Sequence, residues 1–285
     1  MRRTPLVVVA LLALVGTLGV VAVLRSFSSH GIKLLPTLGS ACVVRSNGEV
    51  ALDTVQMANA ATISAVGVRR GMPEQAVVIA LATALQESKL ENRDDGDRDS
   101  VGLFQQRPSQ GWGTPEDIKD PRHASDKFYS ALRRVKGWQQ MRVTDAAQRV
   151  QRSAYPNAYD KWVDEAKILA HALTGRATGA VACTLTGTPA LRGAAAAAAL
   201  MAGLKLDWGS GLAKTAEQAA GLTVAVTDTS AGWRYAHWLV SHASDTGLER
   251  VRFADLEWRA PDGTWQKVTG DSNADRRTVI AQVFT

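Results

Sequence analysis

One glutamate stands where acid chemistry is feasible. Glu87 closes a run that is apolar nearly all round, with Val77, Val78, Ile79, Leu81 and Leu85 ahead of it. A helix with no polar face is the buried centre of its domain. At its end the Glu87 carboxyl borders Thr83 and Ala84 one turn back. A carboxyl partly withdrawn from water has its ionised form disfavoured and can stay protonated near neutrality. Such a group can give its proton to a leaving glycosidic oxygen, which departs poorly as an alkoxide. A lone glutamate at a helix end is ordinarily a surface residue, so its surroundings must decide.

A loop of carboxylates follows. Asp94, Asp95, Asp97 and Asp99 offer a second acidic group, which hydrolysis of a glycoside would need. The same four, interleaved with Arg93 and Arg98, also make a solvated acidic turn. Calcium is not expected, because no twelve-residue loop ending in a bidentate glutamate is present.

Several elements must hold these residues in place. Asp53 with Gln56 is the pattern of a capping box, opening a helix that ends near Gly71. Pro73 and Glu74 start the Glu87 helix, over Ala76 to Glu87. Thr114-Pro115 and Thr144-Asp145 mark further starts. In a last helix Trp162, Ala166, Leu169 and Leu173 recur at helical spacing, and Gly175 stops it. These apolar stripes are core packing. Further on, Leu222–Val226 and Val279–Phe284 are expected as strands, Tyr235–Ser244 as a helix, and Pro261-Asp262-Gly263 as a turn between two strands.

The motif Ala84-Leu-Gln-Glu87-Ser88, followed by Gly102-Leu103-Phe104-Gln105-Gln106, resembles the signature of lytic transglycosylases and goose-type lysozymes. The run from Gly96 through Arg107-Pro108 to Trp112-Gly113 is similar to the version found in actinobacterial envelope and phage-related proteins. The resemblance spans residues 52–174. It implies Glu87 as catalytic acid, with Ser88 beside it and Gly102, Leu103, Phe104, Gln105 and Gln106 lining a sugar groove. Gln105 and Gln106 would hydrogen-bond sugar N-acetyl or hydroxyl groups, and Trp112 would stack on a sugar or pin its loop. Ser153-Ala154-Tyr155-Pro156 falls where such domains carry an Ala-Tyr motif whose tyrosine faces the glutamate. This sequence continues Pro-Asn-Ala-Tyr where the family form is Asn-Ala-Gly, which weakens the case for Tyr155. The resemblance also implies a single glutamate acting as acid and then base, with the sugar's 6-hydroxyl as nucleophile. Tyr235-Ala-His237-Trp238…His242 and Val251…Trp258 are faintly similar to a wall domain related to D-Ala-D-Ala peptidases. The late His-x-His of those peptidases is absent, and His237 and His242 lie five apart. No metal or other cofactor is therefore expected, and a wall-binding, scaffolding or structural role suits this module.

Composition bounds the rest. Hydrophobic residues at 46% and charged residues at 21% fit a globular chain. The net charge of +6 suits an anionic surface, whether nucleic acid, lipid or cell wall. No basic-aromatic patch supports nucleic acid. After Met1-Arg2-Arg3, residues 5–24 are almost unbroken apolar, long enough to span a bilayer. With the arginines inside, the bulk of the chain would lie outside the cytoplasm. The alternative is secretion after signal cleavage, although Val-Ala-Val-Leu-Arg is a poor cleavage site. Outside the cytoplasm Cys42 and Cys183 can pair and tie the two ends of a domain together, or remain two buried thiols.

The expected fold is thus a mainly α, lysozyme-like domain after one N-terminal transmembrane helix, plus a small C-terminal α+β module. Its parts are a cytoplasmic tip and anchor (1–25), a tether (26–49), the catalytic domain (50–175), a Gly/Ala-rich linker (176–220) and the module (221–285). Two functions fit. One is a membrane-anchored enzyme cutting peptidoglycan glycan strands, and the other a non-catalytic peptidoglycan-binding scaffold.

Overall fold

Helix α1, Thr54–Arg69, opens on a reciprocal cap. The Asp53 carboxylate accepts from the Gln56 backbone N–H at 2.8 Å, and the Gln56 side chain accepts from the Asp53 N–H at 3.0 Å. Helix α2, Glu74–Ser88, follows Pro73 and is buried from Ala76 through Leu85. Both helices are apolar nearly all round because each is sheathed by others. The sheath includes α4 (Pro121–Arg134), α5 (Val143–Gln151) and α6 (Val163–Leu173), and the short α3 (Pro115–Lys119) packs on α4. Thr114 caps α3 with Asp117 as its reciprocal partner. Gly67 lets α4 come close to α1: an added Cβ would lie 2.7 Å from the Tyr129 hydroxyl, which donates to the Ile63 carbonyl at 3.0 Å.

The computed structural model describes residues 40–152, 157–268 and 276–285. Ser40–Thr285 form one contiguous unit carrying two antiparallel sheets. The first sheet combines β1 (Ala41–Arg45), β2 (Glu49–Asp53) and β3 (Val181–Thr184) in the order β2-β1-β3. Its buried residues alternate, Cys42 and Val44 on β1, Val50 and Leu52 on β2. Cys42 lies directly opposite Cys183 and is disulfide-bonded to it, across a sequence separation of 141 residues. In the chain-entropy account, closing so long a loop stabilises the native state by about 5 kcal/mol.

The second sheet holds β4 (Thr215–Gln218), β5 (Gly221–Ala225), β6 (Leu248–Phe253), β7 (Leu256–Arg259), β8 (Trp265–Lys267) and β9 (Thr278–Val283). Their order is β4-β5-β9-β6-β7-β8. The six alanines from Ala194 fall in helix α7, Gly193–Trp208, which packs on β5 and β9. Helix α8, Thr229–Ser241, is buried on nearly every side, with α1 and α6 against one flank and β6 against another. At Gly232 an added Cβ would fall 1.8 Å from the Phe253 ring, so only glycine admits this approach. A four-residue helix, α9 (Ala243–Thr246), leads into β6.

This architecture overturns the expected one. The protein is not a mainly helical domain joined by a linker to a small module. The segment read as a tether, 26–49, carries β1 and the first residue of β2. The segment read as a linker, 176–220, carries β3, α7 and β4. The physical reason is that β1 and β3 are five- and four-residue runs set among Ser, Gly and Thr, and β3 finds its partner only in β1, on the far side of the helical region. Among the described residues no helix is long and apolar enough to cross a membrane. The apolar run 5–24, where the spanning helix was expected, lies outside the described residues.

Candidate functional site

The Glu87 helix ends abruptly. Lys89 and Leu90 both take left-handed backbone conformations, φ 59° and 63°, and Leu90 is driven into the core. Two consecutive non-glycine residues in that region cost energy that the surroundings must cover. Gln56 and Asn59 of α1 supply part of it, donating to the carbonyls of Lys89 and Leu90 at 2.9 and 2.8 Å. The sharp turn leaves Glu87 at an open end of a helix whose preceding turns are buried.

Its carboxyl is held from one side. The Tyr159 hydroxyl donates to Glu87 Oε1 at 2.8 Å, and Tyr159 is itself fully buried. Burial raises the Glu87 pKa above the ordinary glutamate range, outweighing the hydrogen bonds of Tyr159 and Gln151 that favour the ionised form. Next to it, the Trp162 indole donates to Gln86 Oε1 at 2.9 Å, and the Lys89 ammonium sits 3.8 Å from the Trp162 ring centroid. Burial, then the nearby Lys161, lower the Lys89 pKa.

The Gly102–Gln106 loop forms another wall through its backbone. Ser88 Oγ donates to the Leu103 carbonyl at 2.7 Å, and the Gln151 amide donates to the Phe104 carbonyl at 2.6 Å. Four residues expected to line a sugar groove with their side chains do not. Ser88 is buried and faces its own helix and Leu103. Leu103 is fully buried, and Phe104 stacks on Phe128 with centroids 4.7 Å apart. Gln106 is buried and donates to the Ala124 carbonyl at 3.1 Å. The apolar pair of the motif belongs to the core, and the polar pair around it splits. Only Gln105 is half-exposed, at φ 47°, with its amide turned to the carbonyls of Asp95 and Gly102. Gly102 is the turn itself, at φ 78°, where an added Cβ would lie 2.7 Å from the Ile118 carbonyl.

The loop aspartates face cations. Asp94 pairs with Lys119 at 3.2 Å, Asp95 with Arg93 at 3.4 Å and Asp99 with Arg107 at 2.8 Å. Hydrogen bonds from Arg107 and Ser109 hold the Asp99 carboxyl well below the usual range. Asp97 is exposed, and its carbonyl accepts from Ser100. Among the described residues no hydrogen bond joins any of these carboxylates to Glu87.

Tyr155 lies outside the described residues. Among the described residues the tyrosine that reaches Glu87 is Tyr159, from the second Ala-Tyr pair four residues on, and that repeat was the available signal. Gln151 and Gln86 carried no comparable mark. Trp112 is half-buried and lines a separate cleft of about 630 Å³ that Glu87 does not border. His237 is wholly buried and structural: Nδ1 lies 2.8 Å from the Ala172 carbonyl, and Nε2 accepts from the Ala180 N–H at 2.9 Å. Its burial lowers its pKa to about 4. Among the described residues no three side chains gather as metal ligands. Neither the protein-family models nor the curated proteins compared with the chain match it.

Proposed function

We propose that the chain cleaves the glycan strands of peptidoglycan, with Glu87 as the acid and then the base. The observation that supports this most is the Glu87 carboxyl itself. It sits at the open end of a buried helix, burial raises its pKa, and a buried tyrosine hydroxyl fixes its direction. In the first half-reaction Glu87 protonates the glycosidic oxygen, the C–O bond breaks and positive charge develops on the sugar ring. The carboxylate left behind is the species that Tyr159 stabilises. In the second half that carboxylate takes a proton from the nucleophile. The pairing of Asp94, Asp95 and Asp99 with cations favours the one-glutamate course, in which the sugar's own 6-hydroxyl attacks and leaves an anhydro end. The Cys42–Cys183 disulfide suits an oxidising compartment outside the cytoplasm, where this substrate lies.

The test is digestion of purified sacculi by the full chain, with Glu87→Gln alongside and mass spectrometry of the released muropeptides. Anhydro products from the parent that vanish in the variant support the proposal. Reducing ends in their place would keep the enzyme but replace the one-glutamate course by hydrolysis. No release, with both proteins still sedimenting with sacculi, would overturn catalysis in favour of a non-catalytic binding role.

A further inference from the structure

The cleft that Trp112 lines is bounded by two helices and the loop before α3. From α4 it receives Lys127, Ser130 and Arg134, spaced along one helical face. From the end of α5 it receives Arg149 and Arg152. Four cations thus converge on about 630 Å³, and among the described residues none of the four is ion-paired. The acid at the cleft, Asp126, is already engaged by Arg70. A helix C-terminus favours cations in its last turn, which accounts for Arg134 and Arg149 singly. It does not account for two helices turning their cations onto the same cleft, where like charges repel. Trp112 adds an aromatic wall against which an arginine or a ligand can stack.

This cleft adjoins the candidate catalytic site through α5. Gln151, whose neighbours Val150 and Arg152 line the cleft, hydrogen-bonds the Phe104 carbonyl beside Glu87. A glycan strand bound at Glu87 carries short acidic peptides, and their carboxylates match a cluster of guanidinium groups.

We infer that the Lys127/Arg134/Arg149/Arg152 cleft is a carboxylate-binding subsite that receives the peptide stem of the glycan strand. The inference rests on the proposed substrate, but its test reads binding and not cleavage. The probe is a muropeptide carrying free carboxylates, set against the same muropeptide with those carboxylates amidated, titrated calorimetrically into the full-length Glu87→Gln variant. Free carboxylates should bind roughly tenfold tighter, a preference that weakens with added salt. Adding Arg134→Gln and Arg149→Gln should abolish the preference while leaving the thermal transition in place. Equal affinity for the two probes overturns the inference, as does a preference that survives both substitutions. Tighter binding of a poly(glycerol phosphate) chain than of the free-carboxylate probe would also overturn it, by making the subsite one for phosphodiesters. If the parent proves unable to cut sacculi while the carboxylate preference stands, catalysis fails and the subsite does not.

Discussion

Tyr159→Phe takes away the hydroxyl that directs the Glu87 carboxyl. The ring is fully buried and phenylalanine fills the same space, so the change removes the hydroxyl that donates to Glu87 at 2.8 Å. That bond is present before and after proton transfer, but its acceptor changes from a neutral carboxyl to a carboxylate. A hydrogen bond to a charged acceptor is roughly twice as strong as a neutral one. Taking net values of about 1 kcal/mol neutral and 1.5–3 kcal/mol charged, the differential is roughly 0.5–2 kcal/mol in favour of the transition state. The expected loss in kcat is therefore roughly 2- to 30-fold. The pH profile should move as well. The hydroxyl favours the ionised form, so without it burial is opposed only by Gln151, and the Glu87 carboxyl rises further. The alkaline limb of the rate profile then shifts to higher pH. The assay is initial muropeptide release from sacculi across pH, with thermal denaturation as the control. Rates equal to those of the parent at every pH, with an unmoved alkaline limb, would refute the role given to Tyr159.

Two further substitutions test the energetics around this frame. Glu87→Gln should unfold at a higher temperature than the parent at neutral pH. The raised pKa of Glu87 means that its contribution to stability is fully present below the unfolded glutamate value and lost as pH rises through the folded one; the gap between variant and parent should close on acidification. Asp207→Asn should destabilise the fold by about 3 kcal/mol, because Arg122 loses its counter-charge. Asp207 is fully buried and accepts from Thr62 at 2.7 Å and Trp238 at 2.8 Å, with Arg122 Nε at 2.7 Å and His242 Nε2 at 3.6 Å. Burial pushes its pKa up, but His242, Arg122 and Thr62 outweigh that and hold it at about 2. A depressed pKa gives stability that is present above the unfolded value and lost as pH falls through the folded one. Chemical denaturation between pH 5 and 2 should therefore show a decline roughly 2 kcal/mol larger in the parent than in the variant.

The helices around Glu87 are legible in the sequence because each carries its own local signal. Asp53 and Gln56 cap one, Thr114-Pro115 opens another, and Gly175 follows the last. Ala41–Arg45 pairs locally with Glu49–Asp53, but its pairing with Val181–Thr184 spans the whole helical region, and nothing near Val181–Thr184 announces that partner. Glu87 is legible for the same reason as its helix: a lone acid on an all-apolar run stands out. The surroundings of Glu87 are less so. A motif records which residue types recur, not which way they face, and Leu103, Phe104 and Gln106 turn inward because the loop backbone, held by Ser88 and Gln151, forms the wall. The repeated Ala-Tyr pair marks Tyr159, but only the tertiary approach of the turn before α6 brings its hydroxyl to Glu87.

Whether the helical region can stand alone is decided by what crosses Gly175. A chain ended there keeps every helix around Glu87 and, on the expected domain boundaries, should fold. The structure argues the reverse. Such a truncation removes β3, leaving β1 with one open edge and Cys42 without Cys183. It strips α8 from α1 and α6, removes Asp207 from Thr62 and Arg122, and deprives the Ala172 carbonyl of His237. Exposing that much apolar surface at about 25 cal/mol per Å² costs far more than the 5–15 kcal/mol by which a domain of this size is stable. The truncated chain should therefore show no cooperative thermal transition and should bind hydrophobic dyes, while the whole chain melts sharply. A sharp melt for the truncated form would show that the sheets are accessory to the Glu87 site, and that the expected division at 175 is a real boundary in energy.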